Sequence, residues 1–319
     1  MKAAMVAQAG SMPVYGDFRE PVASGGERRI AVRAAALSPV VKGRASGAHY
    51  SAPGAFPFVV GIDGVGRLDD GRRVYFILPN APFGSMAEWA VVPSSHCVIL
   101  ADGIDDITAA AIANPGLSSW AALKDRAKLK TGETVLINGA TGTSGRLAVQ
   151  LAKHLGAKKV IATGRNAASL QSLKALGADE TIQLVEATDA LDAAFKQSFA
   201  GRVDVVLDYL WGRSAERLLI AGTKAGKDDI PIRFVQVGNS SGANITLPAS
   251  ALRSAPLEMT GSGIGSLPLD RIVGVTDELL QAAAKTRFQI ETRTVPLSEV
   301  AQAWPGESCD PRIVFTVGA

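Results

Sequence analysis

The sequence predicts an α/β protein built on a doubly wound parallel sheet, with a second, β-rich unit ahead of it. Three observations carry that expectation. Short apolar strands alternate with helical stretches from Glu133 onward. One strand-to-helix junction carries a glycine-rich turn, Asn138-Gly139-Ala140-Thr141-Gly142-Thr143-Ser144-Gly145. The first third instead has short strands broken by Pro39, Gly43, Gly47, Pro53, Gly54, Pro57, Gly61, Gly64 and Gly66. Strand–helix alternation means right-handed crossovers, which lay helices on both faces of a parallel sheet. Dense Gly and Pro punctuation means tight turns between short strands.

Element by element, strands are expected at residues 28–34, 58–60, 73–77 and 87–92. Asp105 or Thr108 caps a helix over 109–113, which Pro115-Gly116 should interrupt before a second helix over 118–127. A strand at 134–137 then meets the glycine-rich turn. The helix over 145–155 places Leu147, Leu151 and Leu155 on one face and stops at Gly156. Strands follow at 159–163, 180–183, 203–207 and 233–237, with helices at 167–176, 189–199 and 214–221 between them. The tail reads as a strand at 257–260, a long amphipathic helix at 270–285 and a last strand at 312–317. Boundaries near 110 and 255 divide the chain into 1–110, 111–255 and 256–319.

Composition narrows the function classes. The chain has 319 residues, 33 Lys and Arg against 30 Asp and Glu, and a formal charge of +3. Domains of ~100–200 residues make two units the expectation. With 47% hydrophobic and 20% charged residues, the chain is an ordinary globular one and not a disordered one. Its charges are interspersed and only 6% of residues are aromatic, so neither a basic stripe nor a stacking platform for nucleic acid is present. Cys97 and Cys309 allow at most one disulfide, and a reducing cytoplasm is the expected setting. The N-terminal apolar run is soon broken by Gln8, Gly10 and Pro13, unlike a secretory signal. No stretch approaches the ~18 apolar residues of a membrane span.

The glycine-rich turn carries the chemistry. Read as A-x-G-x-x-G, it assigns Ala140 to the tight turn, Gly142 to the close approach of a pyrophosphate, and Gly145 to close packing of helix on sheet. Thr141, Thr143 and Ser144 complete a loop whose amides and positive helix end face the phosphates, so the unit reads as a Rossmann-type dinucleotide site. The second strand ends at Gly164-Arg165-Asn166, where an NAD site normally carries an acid about 20 residues past the glycines. Arg165 stands there instead. A guanidinium pairs with a 2′-phosphate that a carboxylate would repel, so NADPH is the expected cofactor. The turn is not a P-loop, since no Lys follows its glycines. Nor does any of Tyr15, Tyr50, Tyr75 or Tyr209 have a Lys four residues later, as a short-chain reductase would require.

The order of these parts resembles the zinc-independent quinone oxidoreductases of the medium-chain dehydrogenase/reductase superfamily over nearly the whole chain. The resemblance rests on Met1-Lys2-Ala3, Ala36 to Pro39, Phe58 to Gly66, Phe83 to Glu88, Asn114 to Leu123, Val203 to Asp208, Arg233 to Gly238 and Pro296 to Ala301. It implies that the first segment and the tail fold together as a GroES-like substrate domain, with the cofactor in the cleft beside the inserted nucleotide domain. It places the nicotinamide near Ser38, Asn114 to Leu117, Val237-Gly238-Asn239 and Ser262, with Ser240 nearby. Tyr50, beside the quinone pocket by resemblance, and Lys42 are the candidates to support a developing oxyanion. Ser38 and Tyr50 are the candidate substrate-pocket residues. The resemblance also implies a homodimer paired through 257–260.

Zinc is not expected. In zinc-dependent relatives the ligands come from a Cys near Val40, the His of a Gly-His-Glu motif and a later Cys or Asp. Here Val40-Val41 and Gly61-Ile62-Asp63 lack the first two. His96-Cys97 reads as a turn before a strand, His49 as a loop residue, His154 as a helix-surface residue, and Asp63 and Asp208 as turn carboxylates. Without a Lewis acid, the expected acceptor is already electrophilic: a quinone or an enone. Two alternatives stay open at this point. One is a reductase of 2-enoyl thioesters or acryloyl acids, with Arg44 as a possible anchor. The other is a non-catalytic nucleotide-binding protein. The expected partner is otherwise a small molecule, with no nucleic acid and no membrane.

Overall fold

The computed structural model describes residues 1–185, 189–226, 231–305 and 311–318, so Cys309 lies outside the described residues. Two units emerge: Met1–Asn114 with Asp270–Ala319, and Pro115–Leu269. The divisions thus fall a few residues after the expected 110 and well after 255. The second shift has a clear cause, since the strand beyond 255 pairs within the second unit.

The first unit runs β1 (Lys2–Val6), β2 (Val14–Asp17), β3 (Glu27–Ala36), α1 (Pro39–Ala45), β4 (Phe58–Val59), β5 (Asp63–Leu68), β6 (Arg73–Ile77), β7 (Trp89–Pro93) and β8 (Cys97–Ile99). Helix α2 (Asp106–Ala121) contains the division between the units. The second unit follows with β9 (Thr134–Asn138), α3 (Thr143–His154), β10 (Lys159–Gly164), α4 (Ala167–Ser172), β11 (Glu180–Gln183), α5 (Asp189–Ala200), β12 (Val205–Asp208), α6 (Gly212–Ala225), β13 (Ile232–Gln236) and β14 (Leu257–Gly261). The return to the first unit comprises α7 (Leu269–Thr286), β15 (Thr292–Pro296), α8 (Val300–Ala303) and β16 (Arg312–Thr316).

In the first unit the longest strand, β3, organises the sheet. Its Ile30, Val32 and Ala34 point into the core, while Arg29 and Arg33 point away, the period of two that a half-buried strand requires. The larger sheet runs β15-β16-β3-β5-β6-β8 with β7 also on β3, and β2-β1-β4 forms a smaller one. Strand β5 was not expected from the residue pattern, because Asp63-Gly64-Val65-Gly66 is poor in strand formers, although it begins within the Phe58 to Gly66 stretch that carries the resemblance. Its glycines are there for proximity: a Cβ on Gly66 would sit 2.4 Å from the Ala31 carbonyl oxygen, beside the bulge in β3.

One helix expectation is corrected. Pro115 does not interrupt the chain; α2 runs straight through it and ends in a π-turn over Ala122–Arg126. Proline costs a helix interior ~3 kcal/mol through a lost N–H bond and a ring clash. In α2 itself Ala109 to Ala113 are fully buried and Trp120 is buried, so most of the helix lies within the core. The Ser118 and Ser119 hydroxyls donate to the Pro115 carbonyl at 2.8 and 3.1 Å. Tertiary packing therefore overrides the local rule.

The second unit is a six-stranded parallel sheet in the order β11-β10-β9-β12-β13-β14. From β9 the chain winds outward to β10 and β11, then returns to β12 on the other side of β9. The order therefore reverses between β9 and β12, which is where such sheets bind ligands. Under one face Leu136, Ile161 and Val206 pack against Phe195 and Phe199 of α5 and Leu218 of α6. Phe195 is fully buried. Phe195→Ala is expected to lower unfolding free energy by ~3–5 kcal/mol in a denaturant titration, the cost of a large aromatic cavity. Among the described residues no helix is long and apolar enough to cross a membrane.

Candidate functional site

The turn between β9 and α3 is held from beneath by one buried polar network. Asn138, the last residue of β9, donates from Nδ2 to Asp208 Oδ1 at 2.8 Å and to Ser214 Oγ at 2.9 Å. Its Oδ1 accepts from Thr163 Oγ1 at 2.7 Å, and that hydroxyl oxygen accepts from the Gly139 amide at 3.1 Å. Asp208 in turn accepts from the Leu210 and Trp211 amides. Burial pushes the Asp208 carboxyl up, against the opposing pull of Asn138 and the two amides. One residue thus ties together the ends of β9, β10 and β12. Asp208 does not itself lie in a turn, as the sequence suggested, but closes β12, and its carboxylate holds the turn that follows. Asn138 was not among the expected site residues, and its only signal was a polar side chain closing an apolar strand.

The glycines divide their work differently from the sequence expectation at one position. The tight turn rests on Gly139, whose φ of +86° only glycine adopts without strain, and not on Ala140, which is fully buried. A Cβ on Gly145 would lie 2.5 Å from both Ala140 Cα and the Gly139 carbonyl oxygen, so Gly145 does let the helix close on the turn. A Cβ on Gly142 would meet no protein atom within 4 Å. Gly142 caps α3 and has no side chain to accept from the first-turn amides, the form of helix start that binds anions. The residues present therefore fit a pyrophosphate: open space at Gly142 and a bare, twelve-residue helix end behind it.

The remaining expected cofactor residues lie along the same C-terminal edge of the sheet. A Cβ on Gly164 would stand 2.5 Å from Thr141 Cγ2, so the turn after β9 rests on the end of β10. Arg165 is exposed and its guanidinium makes no ion pair among the described residues, while its carbonyl accepts from Gln183 Nε2 at 3.0 Å. Asn166 has a structural task, capping α4 by accepting from the Ser169 amide at 2.9 Å. After β13, the Val237 and Gly238 amides donate to the Asp208 carbonyl at 2.7 and 3.0 Å. The Asn239 carbonyl accepts from Gly242, and the buried Ser262 donates its amide to the Gln236 carbonyl at 2.8 Å. Ser119 adds a clamp that the sequence did not reveal. Its hydroxyl lies 2.7 Å from the Tyr209 hydroxyl and 3.2 Å from the Ser144 carbonyl, joining α2 to the start of α3.

The other three expected residues belong to the first unit. Ser38 is buried and caps α1, its Oγ accepting from the Val41 amide at 3.3 Å. Lys42 sits within α1. Tyr50 is 73% exposed, with its ring 4.3 Å from that of His49.

Metal ligands do not gather. Among the described residues no three His, Cys, Asp or Glu side chains form a metal-binding group. Burial pushes the Cys97 thiol up to about 11, and the neighbouring His96 has no third ligand beside it. Asp63 is not in a turn, as the sequence suggested, but opens β5, where Tyr75 donates to its Oδ2 at 2.7 Å. Burial pushes this carboxyl up to about 6, against the Tyr75 bond and the charge of Arg312. A raised carboxyl is protonated in the folded state before the unfolded one. Its contribution is therefore present below pH ~4 and lost as pH rises through about 6. Asp63→Asn should remove that fall, read as the difference between wild-type and variant unfolding free energies from pH ~4 to ~7.

Comparisons with known proteins agree on the family of this chain. Residues 145–281 match the family described as Zinc-binding dehydrogenase. The chain is 31% identical to a probable NADPH-dependent quinone reductase, tdiC, of Emericella nidulans, over 92% of this chain and 93% of that protein. It is 28% identical to the trans-enoyl reductase pgmF of Aspergillus terreus, over only 45% of this chain and 41% of that one. Its fold matches the quinone oxidoreductase of Thermus thermophilus, solved alone and with NADPH, at a TM-score of 0.81 and 26% identity, covering 99% of this chain and all of that one.

Proposed function

The chain belongs to the quinone oxidoreductase branch of the medium-chain dehydrogenase/reductase superfamily, and from that premise we propose that it is a zinc-independent reductase of quinones or α,β-unsaturated carbonyls. Its cofactor is NADPH. The observation that carries the reading is the edge of the parallel sheet: an open glycine turn at the switch point, and Arg165 without a carboxylate partner after the second strand.

Bound NADPH supplies the hydride, and one proton from solvent or a side chain completes the two-electron reduction of a quinone to a hydroquinone or of an enone to a saturated carbonyl. The protein's share is binding and orientation. The amides at the start of α3 would hold the pyrophosphate, Arg165 the 2′-phosphate, and Val237 to Asn239 with Ser262 the nicotinamide. Tyr50 and Lys42 supply a hydrogen bond and a positive charge to the acceptor oxygen as negative charge grows there. Neither Val40-Val41 nor Gly61-Ile62-Asp63 offers zinc a ligand set. In a homodimer, β14 would pair with its counterpart. It has β13 on one side only among the described residues, and an open strand edge favours such pairing.

The test is the initial rate of NADPH and of NADH oxidation with a panel of quinones and enones, after treatment with chelator. Turnover that favours NADPH and survives chelation is expected. Loss of activity on chelation, or a preference for NADH, would overturn the zinc-independent NADPH reading. NADPH binding without turnover of any acceptor would favour a non-catalytic role.

A further inference from the structure

Between Glu27 and Asp63 the chain has no acidic residue, yet it carries Arg28, Arg29, Arg33, Lys42 and Arg44. Arg29 and Arg33 are engaged elsewhere. Arg29 pairs with Glu20 at 2.8 Å and lies over the Trp89 ring, and Arg33 donates to the Gly318 carbonyl at 3.2 Å. Arg44 is different. It lies half-buried on the last turn of α1, and its guanidinium makes no hydrogen bond or ion pair among the described residues. It is not needed to cap α1 either. The carbonyls of Lys42, Gly43 and Arg44 already accept from the amides of Ser46, His49 and Gly47 at 3.0, 3.1 and 3.1 Å.

His49 folds back beside it. A Cβ on Gly43 would be 3.3 Å from His49 Cβ, and the Arg44 charge, added to burial, pushes the imidazole below its ordinary range. Its Nδ1 lies 2.8 Å from the Ser51 hydroxyl and faces the Ser51 amide, which donates to it at 3.2 Å. That leaves Nε2 without a bond among the described residues. Tyr50 stacks on the same ring. A partly desolvated guanidinium with an imidazole beside it, in a segment that holds no carboxylate, suits an oxyanion.

We propose that Arg44, assisted by His49, anchors an anionic group on the acceptor, so that the preferred substrate is an electrophilic alkene or quinone bearing a carboxylate or a phosphate. This rests on the reductase reading above and names the class of its substrate. The carboxylate of a small unsaturated acid and the phosphates of a coenzyme A thioester present the same chemistry, and matched acceptors separate them. One pair is benzoylacrylate and its neutral methyl ester. The other is crotonyl-CoA and the crotonyl thioester of N-acetylcysteamine, which lacks the phosphates.

The quantity to read is the charged-to-neutral ratio of kcat/KM within each pair, for the wild type, Arg44→Gln and Arg44→Lys. In one pair the ratio should fall by about tenfold to a hundredfold in Arg44→Gln, through KM, as expected for a lost charge-assisted bond. Arg44→Lys should recover part of it. The pair that responds identifies the source of the anion. An unchanged ratio in both pairs overturns the proposal, as does a loss expressed only as a higher KM for NADPH. Absence of turnover with all four acceptors would count against the reductase reading instead. Titration of benzoylacrylate and of coenzyme A into NADPH-loaded protein then decides: binding weakened by Arg44→Gln supports the anion site, and no binding, or binding indifferent to it, overturns it.

Discussion

Gly145→Ala is expected to damage both folding and cofactor binding, and Gly142→Ala only the second. The difference lies in what each added methyl meets. At position 145 it is driven to 2.5 Å from backbone atoms of Ala140 and Gly139, which cannot rotate away as a side chain could. Helix and turn must separate, with an overpacking cost of ~1–3 kcal/mol. A displacement of ~1 Å at a positioned site costs about a hundredfold. At position 142 the methyl meets no protein atom within 4 Å, and φ of −77° suits alanine. Gly142→Ala should therefore unfold at nearly the wild-type temperature, yet bind NADPH at least about tenfold more weakly, because the methyl stands where a phosphate oxygen must come. Thermal unfolding without cofactor and calorimetric titration of NADPH measure the two effects separately. Equal loss of stability in both variants would refute the assignment of the open space at Gly142 to the ligand.

Arg165→Ala should raise the KM for NADPH by about tenfold to a hundredfold and leave that for NADH within about twofold. Arg165 is exposed at the end of β10 and makes no ion pair among the described residues, so its removal should not destabilise the fold. The two cofactors differ only in the 2′-phosphate, so their ratio isolates that one contact. Higher salt should weaken NADPH binding in the wild type and less so in the variant, because an exposed pair is screened. Equal losses for both cofactors would assign Arg165 to some other task.

Much of the second unit was legible because its signals are local. A helix of period 3.6 between apolar strands forms in much the same way wherever the sheet places it, and Gly156 and Gly177 mark helix ends by their left-handed backbone. The first unit was harder to read. Strand β5 exists because its neighbours pair with it, and Gly64 and Gly66 serve that pairing while weakening its own propensity. Pro115 misled for a related reason. The rule that proline ends a helix describes an isolated segment, and in α2 burial on nearly every side outweighs it.

The site divides along the same line. By itself the sequence determined the class of chemistry: a strand, an open glycine turn and a helix fit a phosphate from backbone alone, and Arg165 is the residue we propose selects among dinucleotides. Those properties belong to a dozen consecutive residues or to a single charge at a known spacing. Only the tertiary structure decided which atoms hold the cradle in place. Asn138, Thr163, Asp208 and Ser214 lie on β9, β10, β12 and α6, and they meet because the sheet order reverses between β9 and β12. Likewise, that Arg44 is half-buried without a carboxylate is a property of its surroundings. A desolvated charge acquires its meaning from the partners that the fold does or does not bring to it.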